Sequence, residues 1–122
     1  MFLSTFIISM KILVTGANGL LGHHVVMELL NRAHEVRIIV RSTEKIGFDL
    51  SQVEVLTGSF VDKNTIYESA KGCDGIIHIA AATDTNLLNY REYQLINVDA
   101  TKQLIETARE LSIRKLVFIS TA

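Results

Sequence analysis

Lys11–Gly22, KILVTGANGLLG, is the stretch that decides the fold of this chain. It begins with a short apolar run, continues through a turn that carries Gly16, Gly19 and Gly22, and ends in an apolar segment with helical spacing. A strand, a glycine-rich turn and a helix in this order form the front of a βαβ nucleotide-binding unit. In such a unit an anion lies at the helix N-terminus, because unpaired N–H groups and the helix dipole favour negative charge there.

Each glycine of the turn has a separate expected role. Gly16 ends the strand in a turn that a Cβ atom would obstruct, and Gly19 lets the backbone approach a pyrophosphate. Gly22 lets the first helix lie close to the sheet. The spacing G-x-x-G-x-x-G differs from the G-x-G-x-x-G of two-domain dehydrogenases, and an ordinary strand–loop–helix joint is the alternative. The strand before the turn and the helix after it favour the nucleotide site.

Composition and charge limit the class of protein. The 122 residues are 48% hydrophobic and 20% charged, with a net charge of −1, which is typical of one compact domain. Because the sequence has no basic block, we expect neither a nucleic acid nor a membrane as a partner. The one cysteine, Cys73, cannot build a disulfide framework, which favours the cytoplasm, and we expect it to be a half-buried thiol. We predict no metal site.

Residues 10–122 are expected to form this domain, because Met10 stands directly before the first strand. Residues 1–9 are an apolar extension without a cationic n-region or a small-residue cleavage site. They are also too few to span a bilayer. The sequence leaves open whether this extension is disordered or covers exposed surface.

Apolar runs alternate with helical patterns along the rest of the chain, so we expect an α/β fold. The predicted strands are 12–14, 36–40, 53–56, 74–80 and 115–119, the predicted helices are 20–31, 62–72 and 90–111, and polar connections are predicted at 42–51 and 83–89. This alternation predicts a Rossmann-type doubly wound parallel sheet with five strands in the order 3-2-1-4-5. A ligand is expected over the carboxyl ends of the strands, where the strand order reverses.

Four motifs carry a resemblance to a known family: TGANGLLG at Thr15–Gly22, HIAA at His78–Ala81, NVDAT at Asn97–Thr101 and KLVFIST at Lys115–Thr121. They resemble the extended and atypical short-chain dehydrogenase/reductases, which include sugar-nucleotide epimerases and dehydratases and dihydroflavonol-reductase-like enzymes. The resemblance covers the chain from Met10 onward and is specific for the superfamily, not for a substrate. It implies an NAD(P)-binding domain that is truncated after the fifth strand.

The resemblance also implies which residues contact a dinucleotide cofactor and a substrate. The implied cofactor contacts are Gly16, Asn18, Gly19, Leu20 and Leu21 at the pyrophosphate, Ser59 and Phe60 after the third strand, and Ala80 and Ala81 under the nicotinamide ribose. Thr121 is implied to hold the substrate oxygen as the catalytic hydroxyl, with Ser120 in that role if the register is shifted by one.

Several polar residues near these motifs are interpreted as structural. We interpret His78 as a packed strand histidine rather than a functional one, and Asn97 as a residue that holds the long helix against the strands. His23 and His24 in the first helix are expected to be solvated. Ala33 follows that helix at a position where glycine would adopt the helix-ending conformation more easily.

The chain departs from the family pattern at three points. Ser59 stands where relatives usually have an aspartate, which weakens or remakes the adenine contact, and Ala100 replaces a usual helix glycine. The family's catalytic Tyr-x-x-x-Lys pair lies downstream of the fifth strand, beyond this sequence. Tyr67 and Lys71 have the same spacing, but we expect them at the opposite edge of the sheet, too far from the site for acid–base work.

The residue after the second strand predicts the cofactor. An acidic residue there would bind the ribose 2′-hydroxyl of NAD and repel a 2′-phosphate. This chain has Arg41, followed by Lys45, and a guanidinium can bind a phosphate through two parallel hydrogen bonds. We therefore expect NADP(H) before NAD. The alternative for Arg41 is a solvated side chain with Glu44 as its neighbour.

Two functions remain open at this stage. The first is the cofactor-binding domain of an oxidoreductase or epimerase/dehydratase-like enzyme, inactive on its own and bound to a small-molecule substrate only when completed by a C-terminal region. The second is a nucleotide-binding sensor or regulatory module without chemistry. Val117 and Ile119 on the fifth strand are expected to lack neighbours, so self-association through the exposed sheet surface is also expected.

Overall fold

Strands and helices alternate in a computed structural model, which describes residues 8–80 and 90–120 of the chain. The elements are β1 (Lys11–Thr15), α1 (Leu20–Asn31), β2 (Glu35–Val40), β3 (Glu54–Thr57), α2 (Lys63–Ala70), β4 (Gly75–Ala80), α3 (Tyr90–Glu110) and β5 (Lys115–Ser120), with a short 3-10 helix at Leu50–Gln52 before β3. Each strand and each α-helix lies within two residues of its predicted bounds. The connection 83–89 and most of the 1–9 extension lie outside the described residues.

The strands form one parallel sheet in the order β3-β2-β1-β4-β5, which confirms the predicted topology. The central strand, β1, is paired with β2 on one side and with β4 on the other. Its last residue, Thr15, is in register with Ile39 and His78. The carboxyl ends of these three strands therefore meet at one edge, directly below the glycine turn.

Successive residues of β1 point to opposite faces of the sheet, and each face has its own apolar cluster. Val14 packs into the cluster that also contains Val26 of α1. Leu13 packs into the other cluster, with Ile66 of α2 and Leu104 of α3. All of these side chains are almost fully buried, and burying each contributes about 1.5–3 kcal/mol. The two clusters hold α1 on one face of the sheet and α2 and α3 on the other.

The helix ends use the residues that the sequence indicated. The Asp62 side chain accepts the N–H of Thr65 at 3.2 Å and so caps α2. Gly72 follows that helix with a φ of +83°, and Ala33 follows α1 with a φ of +64°. Ala33 is therefore in the left-handed region that favours glycine, as the sequence predicted.

Arg37 on β2 is a buried charge that the sequence analysis missed. Its Nη1 donates to the backbone carbonyl oxygens of Ser69 and Lys71, at 2.8 and 2.6 Å. Its Nε lies 3.1 Å from Glu54 Oε2, outside hydrogen-bonding geometry, so this contact is an ion pair. Lys11 also pairs with Glu54, at 2.8 Å, and these two cations, Lys11 first, lower the pKa of Glu54. Arg37 thus binds the last turn of α2, where the helix dipole favours a cation.

Strand β5, the outermost strand next to β4, exposes apolar side chains. Val117 is 51% exposed and Phe118 is 49% exposed, and consecutive strand residues point to opposite faces. Ile119, expected to lack neighbours, instead packs against the cluster on the α1 side. The uncovered residue next to Val117 is therefore Phe118, and self-association through this surface stays a prediction.

Candidate functional site

The glycine turn connects β1 to α1 at the carboxyl edge of the sheet. Gly16, its first residue, has a φ of +72°, which an L-amino acid rarely adopts. A Cβ atom on Gly16 would also lie 2.6 Å from the backbone oxygen of Ile79 on β4. Both the conformation and the contact require glycine here, so the turn rests directly on the end of β4.

Gly22, in the first turn of α1, makes a different contact from the one expected. A Cβ atom on Gly22 would lie 2.1 Å from the oxygen of Gly16 and 2.6 Å from the Cα of Ala17. The close approach is therefore between the helix and the backbone of the glycine turn, not between the helix and the strands. Gly22 lets α1 start close to Gly16 and so fixes the shape of the turn.

Gly19 has room for a side chain and leaves the start of α1 without a cap. Its backbone is extended, with φ −89° and ψ 173°, and the nearest atom to a Cβ built there is the Gly16 oxygen at 3.7 Å. No side chain caps the helix, and its first turn has no acidic residue. Leu20 is 79% exposed and Leu21 is 38% exposed. The backbone N–H groups at this helix start are therefore available to an anion.

Arg41 follows β2 directly and is exposed, as is Lys45 in the same connection. Within residues 8–80 and 90–120, Arg41 makes no salt bridge, so Glu44 does not hold it. The connection itself is anchored by Phe48, which is 8% exposed and packs its ring 5.6 Å from that of His23. The two cations thus extend from a connection that folds back onto α1.

The contact with Phe48 corrects one expectation and extends another. His23 was expected to be solvated, but it is partly buried against Phe48, while His24 is exposed as predicted. The connection 42–51 was predicted to be polar, but Phe48 is buried in the cluster on the α1 side, and Ile46 and Leu50 pack against that cluster. The signal in the sequence was the set of apolar residues Ile46, Phe48 and Leu50 within this connection.

Ser59 and Phe60 follow β3 at the same edge of the sheet. Ser59 is exposed. Phe60 is partly buried, and its ring lies 5.7 Å from that of His78, on the face covered by α2 and α3. Its ring therefore contributes to the core. Ala80 ends β4 at this edge, whereas Ala81 and Thr121 lie outside the described residues.

His78 on β4 is buried below the turn, 6% exposed, as a packed strand histidine should be. Its Nδ1 lies 2.6 Å from Thr15 Oγ1, and its Nε2 lies 3.3 Å from Thr101 Oγ1 on α3. Burial lowers the pKa of His78 from 6.5 to about 4. The imidazole is therefore neutral at pH 7. The Thr101 hydroxyl in turn donates to the backbone carbonyl of Asn97 at 2.8 Å.

We expect acid to destabilise the folded chain through His78. The unfolded chain binds a proton near pH 6.5 and the folded chain only near pH 4, so the unfolded state holds more protons between these values. The stabilisation is complete above pH 6.5 and falls as the pH falls toward 4, by up to about 3 kcal/mol. Urea unfolding at pH 7 and 4.5 measures this loss. A parallel loss in His78→Gln would contradict the assignment to His78.

Tyr67 and Lys71 lie at the opposite edge of the sheet, as predicted. The carbonyl of Lys71 accepts from the buried Arg37, and the N–H of Asp74, three residues later, donates to the carbonyl of Lys11 at the start of β1. The end of α2 is thus next to the amino ends of the strands. A cleft at this edge, lined by Met10, Cys73 and residues 111–115 among others, is equally remote from the turn.

A family profile described as NAD(P)H-binding matches residues 16–122, from the first glycine of the turn to the last residue. The chain belongs to this family. This match also confirms the resemblance of the four motifs to the extended short-chain dehydrogenase/reductases. None of the helices in the described ranges is both long and apolar enough to cross a membrane.

Individual relatives agree with this assignment. The NAD(P)H-binding domain is 32% identical over 110 residues to the human sterol-4-alpha-carboxylate 3-dehydrogenase, decarboxylating, covering 89% of this chain and 28% of that protein. A uronate dehydrogenase variant of Agrobacterium tumefaciens, solved with NAD, is 26% identical with a TM-score of 0.70, over 93% of this chain and 42% of that one. The Bordetella bronchiseptica enzyme WbmG, solved with NAD, shares the fold, with a TM-score of 0.76 at 22% identity, over 95% and 39% of the two chains. The NAD(P)H-binding domain thus spans 28–42% of the length of each.

Proposed function

We propose that this chain is the NADP(H)-binding domain of an oxidoreductase or of a sugar-nucleotide epimerase/dehydratase-like enzyme, with the catalytic tyrosine and lysine outside it. The observation that carries the choice of NADP is Arg41, exposed and without a salt bridge among the described residues, directly after β2. Two structural neighbours hold NAD. The proposal for this chain follows from Arg41, which stands at the position where a residue contacts the 2′ group of the ribose.

The charges at this position favour a phosphate over a hydroxyl group. A 2′-phosphate carries negative charge, and a guanidinium can donate two parallel hydrogen bonds to its oxygens. Lys45, exposed in the same connection, adds a second positive charge. NAD has no such phosphate, so the two cations would contribute little to the binding of NAD. A preference for NADP(H) follows.

The proposal assigns the rest of the dinucleotide to the carboxyl edge of the sheet. The uncapped start of α1 would receive the pyrophosphate, because its N–H groups and dipole favour an anion. The proposed contacts are Gly16, Asn18, Gly19, Leu20 and Leu21 for the pyrophosphate, Arg41 and Lys45 for the 2′-phosphate, Ser59 and Phe60 near the adenine, Ala80 and Ala81 near the nicotinamide ribose, and Thr121 for the substrate oxygen.

Replacing Arg41 with alanine should remove the preference for NADP(H). Loss of a charge-assisted contact to the phosphate is expected to weaken NADP(H) binding by about 1.5–3 kcal/mol and to leave NAD(H) binding nearly unchanged. Calorimetric titration of both cofactors measures the ratio. Arg114→Ala, an exposed arginine before β5 at the other edge of the sheet, is the matched control. An unchanged NADP/NAD ratio in Arg41→Ala would show that the assignment is wrong.

The second candidate, a nucleotide-binding regulatory module, is favoured by one observation. The Tyr-x-x-x-Lys pair of this chain, Tyr67 and Lys71, lies at the edge of the sheet away from the glycine turn. The complete reading frame distinguishes the two functions. A Tyr-x-x-x-Lys pair some tens of residues downstream of Ala122 would favour the enzyme, and its absence would favour the regulatory module.

A further inference from the structure

A chain of hydrogen bonds runs across the sheet from the glycine turn to α3. Thr15 is the last residue of β1 and the immediate neighbour of Gly16. Its Oγ1 lies 2.6 Å from His78 Nδ1, and on the far side of that imidazole Nε2 lies 3.3 Å from Thr101 Oγ1. His78 therefore connects the first residue of the turn, through its neighbour Thr15, to α3, the helix that packs on the face to which Thr15 and His78 point.

The contact at the Thr101 end sets the direction of the hydrogen bonds in this chain. Thr15 Oγ1 accepts the N–H of Ile79 at 3.1 Å, so its own hydrogen is free to go to His78 Nδ1. Thr101 Oγ1 donates to the Asn97 carbonyl at 2.8 Å, so it accepts from His78 Nε2–H. All groups are satisfied only by a neutral imidazole with its proton on Nε2.

We propose that His78 is a positioning residue for the dinucleotide site: it locks the carboxyl end of β1 to α3 and so holds the Gly16 turn in the geometry that binds the pyrophosphate. This inference rests on the proposed dinucleotide function. The role is one of positioning because His78 is buried below the turn and acts on it through Thr15.

The contacts of Gly16 make the turn sensitive to this lock. A Cβ atom on Gly16 would lie 2.6 Å from the Ile79 oxygen, so the turn backbone and the end of β4 are already in tight contact. A small shift of Thr15 along β4 therefore moves the turn rather than being absorbed by a gap. On the other side Phe60 and Phe118 flank the imidazole, at 5.7 and 5.3 Å between ring centroids, and limit its movement.

The test uses Thr101, because it is the end of the hydrogen-bonded chain that belongs to α3 rather than to the turn. Thr101→Val keeps the shape of the side chain and removes the acceptor, whereas Thr101→Ser restores the hydroxyl group. Thr107→Val is the matched control, a buried threonine six residues further along the same helix. Each variant is studied as the 122-residue chain by amide ¹H–¹⁵N spectra without ligand and by titration with NADP(H).

In Thr101→Val we expect the amide signals of the Gly16–Gly19 turn to shift and NADP(H) to bind about fivefold more weakly. Thr101→Ser should restore both, and Thr107→Val should change neither. Turn amides that stay in place in a folded Thr101→Val, or an affinity that stays unchanged while they shift, would overturn the proposal. If Thr101→Val does not fold, His78→Asn replaces it, because its Oδ1 can still accept from Thr15 while the contact to Thr101 is lost.

The two measurements separate this proposal from the proposed function. A wild-type chain that binds no dinucleotide would overturn the proposed function and, with it, the role of His78 in binding. The amide spectra without ligand would still decide whether α3 and the glycine turn are coupled through His78.

Discussion

Gly22→Ala is expected to destabilise the chain by about 3 kcal/mol or more and to abolish dinucleotide binding. The added Cβ atom would lie 2.1 Å from the Gly16 oxygen and 2.6 Å from the Ala17 Cα, both backbone atoms that cannot rotate away. The higher helix propensity of alanine, about 1 kcal/mol, is too small to offset this clash. Relief requires α1 to move away from the turn, which changes the site itself.

Gly19→Ala is the matched control, since it adds the same methyl group three residues earlier. Its backbone conformation is open to any residue, and the nearest atom to the new Cβ is 3.7 Å away. Stability should change by less than about 0.5 kcal/mol, while binding weakens because the methyl group lies where the pyrophosphate approaches. Urea unfolding and cofactor titration separate the two effects. Equal stability losses in the two variants would contradict the contact at Gly22.

Arg37→Ala is expected to cost about 3–5 kcal/mol of unfolding free energy. The change removes the donor to the carbonyl oxygens of Ser69 and Lys71 and leaves the end of α2 without its cation. The guanidinium is almost completely buried, so water cannot replace it without opening the contact between β2 and α2. Dinucleotide affinity of the folded fraction should be retained, because Arg37 is remote from the glycine turn.

Arg32→Ala tests the same residue type in an exposed ion pair. Arg32 Nε lies 2.8 Å from Glu28 Oε1, closer than the 3.1 Å between Arg37 Nε and Glu54 Oε2, but the Arg32 and Glu28 side chains are 70% and 59% exposed. Such helix-surface pairs contribute about 0.5 kcal/mol or less. Chemical unfolding of both variants gives the comparison. Similar losses for Arg37→Ala and Arg32→Ala would mean that burial does not determine the effect.

The order of the elements could be predicted because each depends on its own local pattern. Apolar runs and helical spacing gave the strands and helices, and the βαβ rules then gave the strand order. Within the site, the glycine turn and Arg41 could be located because their positions follow directly from the ends of β1 and β2. The roles proposed for all of these residues in binding cofactor or substrate stay predictions, and Thr121 and Ala81 also lie outside the described residues.

What could not be predicted depends on contacts between distant segments. Arg37 is a charge inside the apolar strand EVRIIV, which is a visible signal, but its partners are backbone carbonyls that no residue type identifies. Gly22 was assigned to helix–sheet packing, whereas the atoms it approaches belong to the turn six residues earlier. His78 was predicted to be packed, and only the three-dimensional arrangement shows that it joins Thr15 to Thr101.

The uncapped start of α1 has a consequence for the amount of folded protein. A helix whose first N–H groups have no side-chain partner lacks a contribution of about 1 kcal/mol that a capping residue would supply. An anionic ligand bound there supplies it instead, so under the proposed function the dinucleotide acts as a folding ligand. By mass action, the free energy of unfolding then rises with the logarithm of the free dinucleotide concentration once this exceeds the Kd. The metabolic supply of cofactor would thereby govern how long each copy of the chain survives proteolysis.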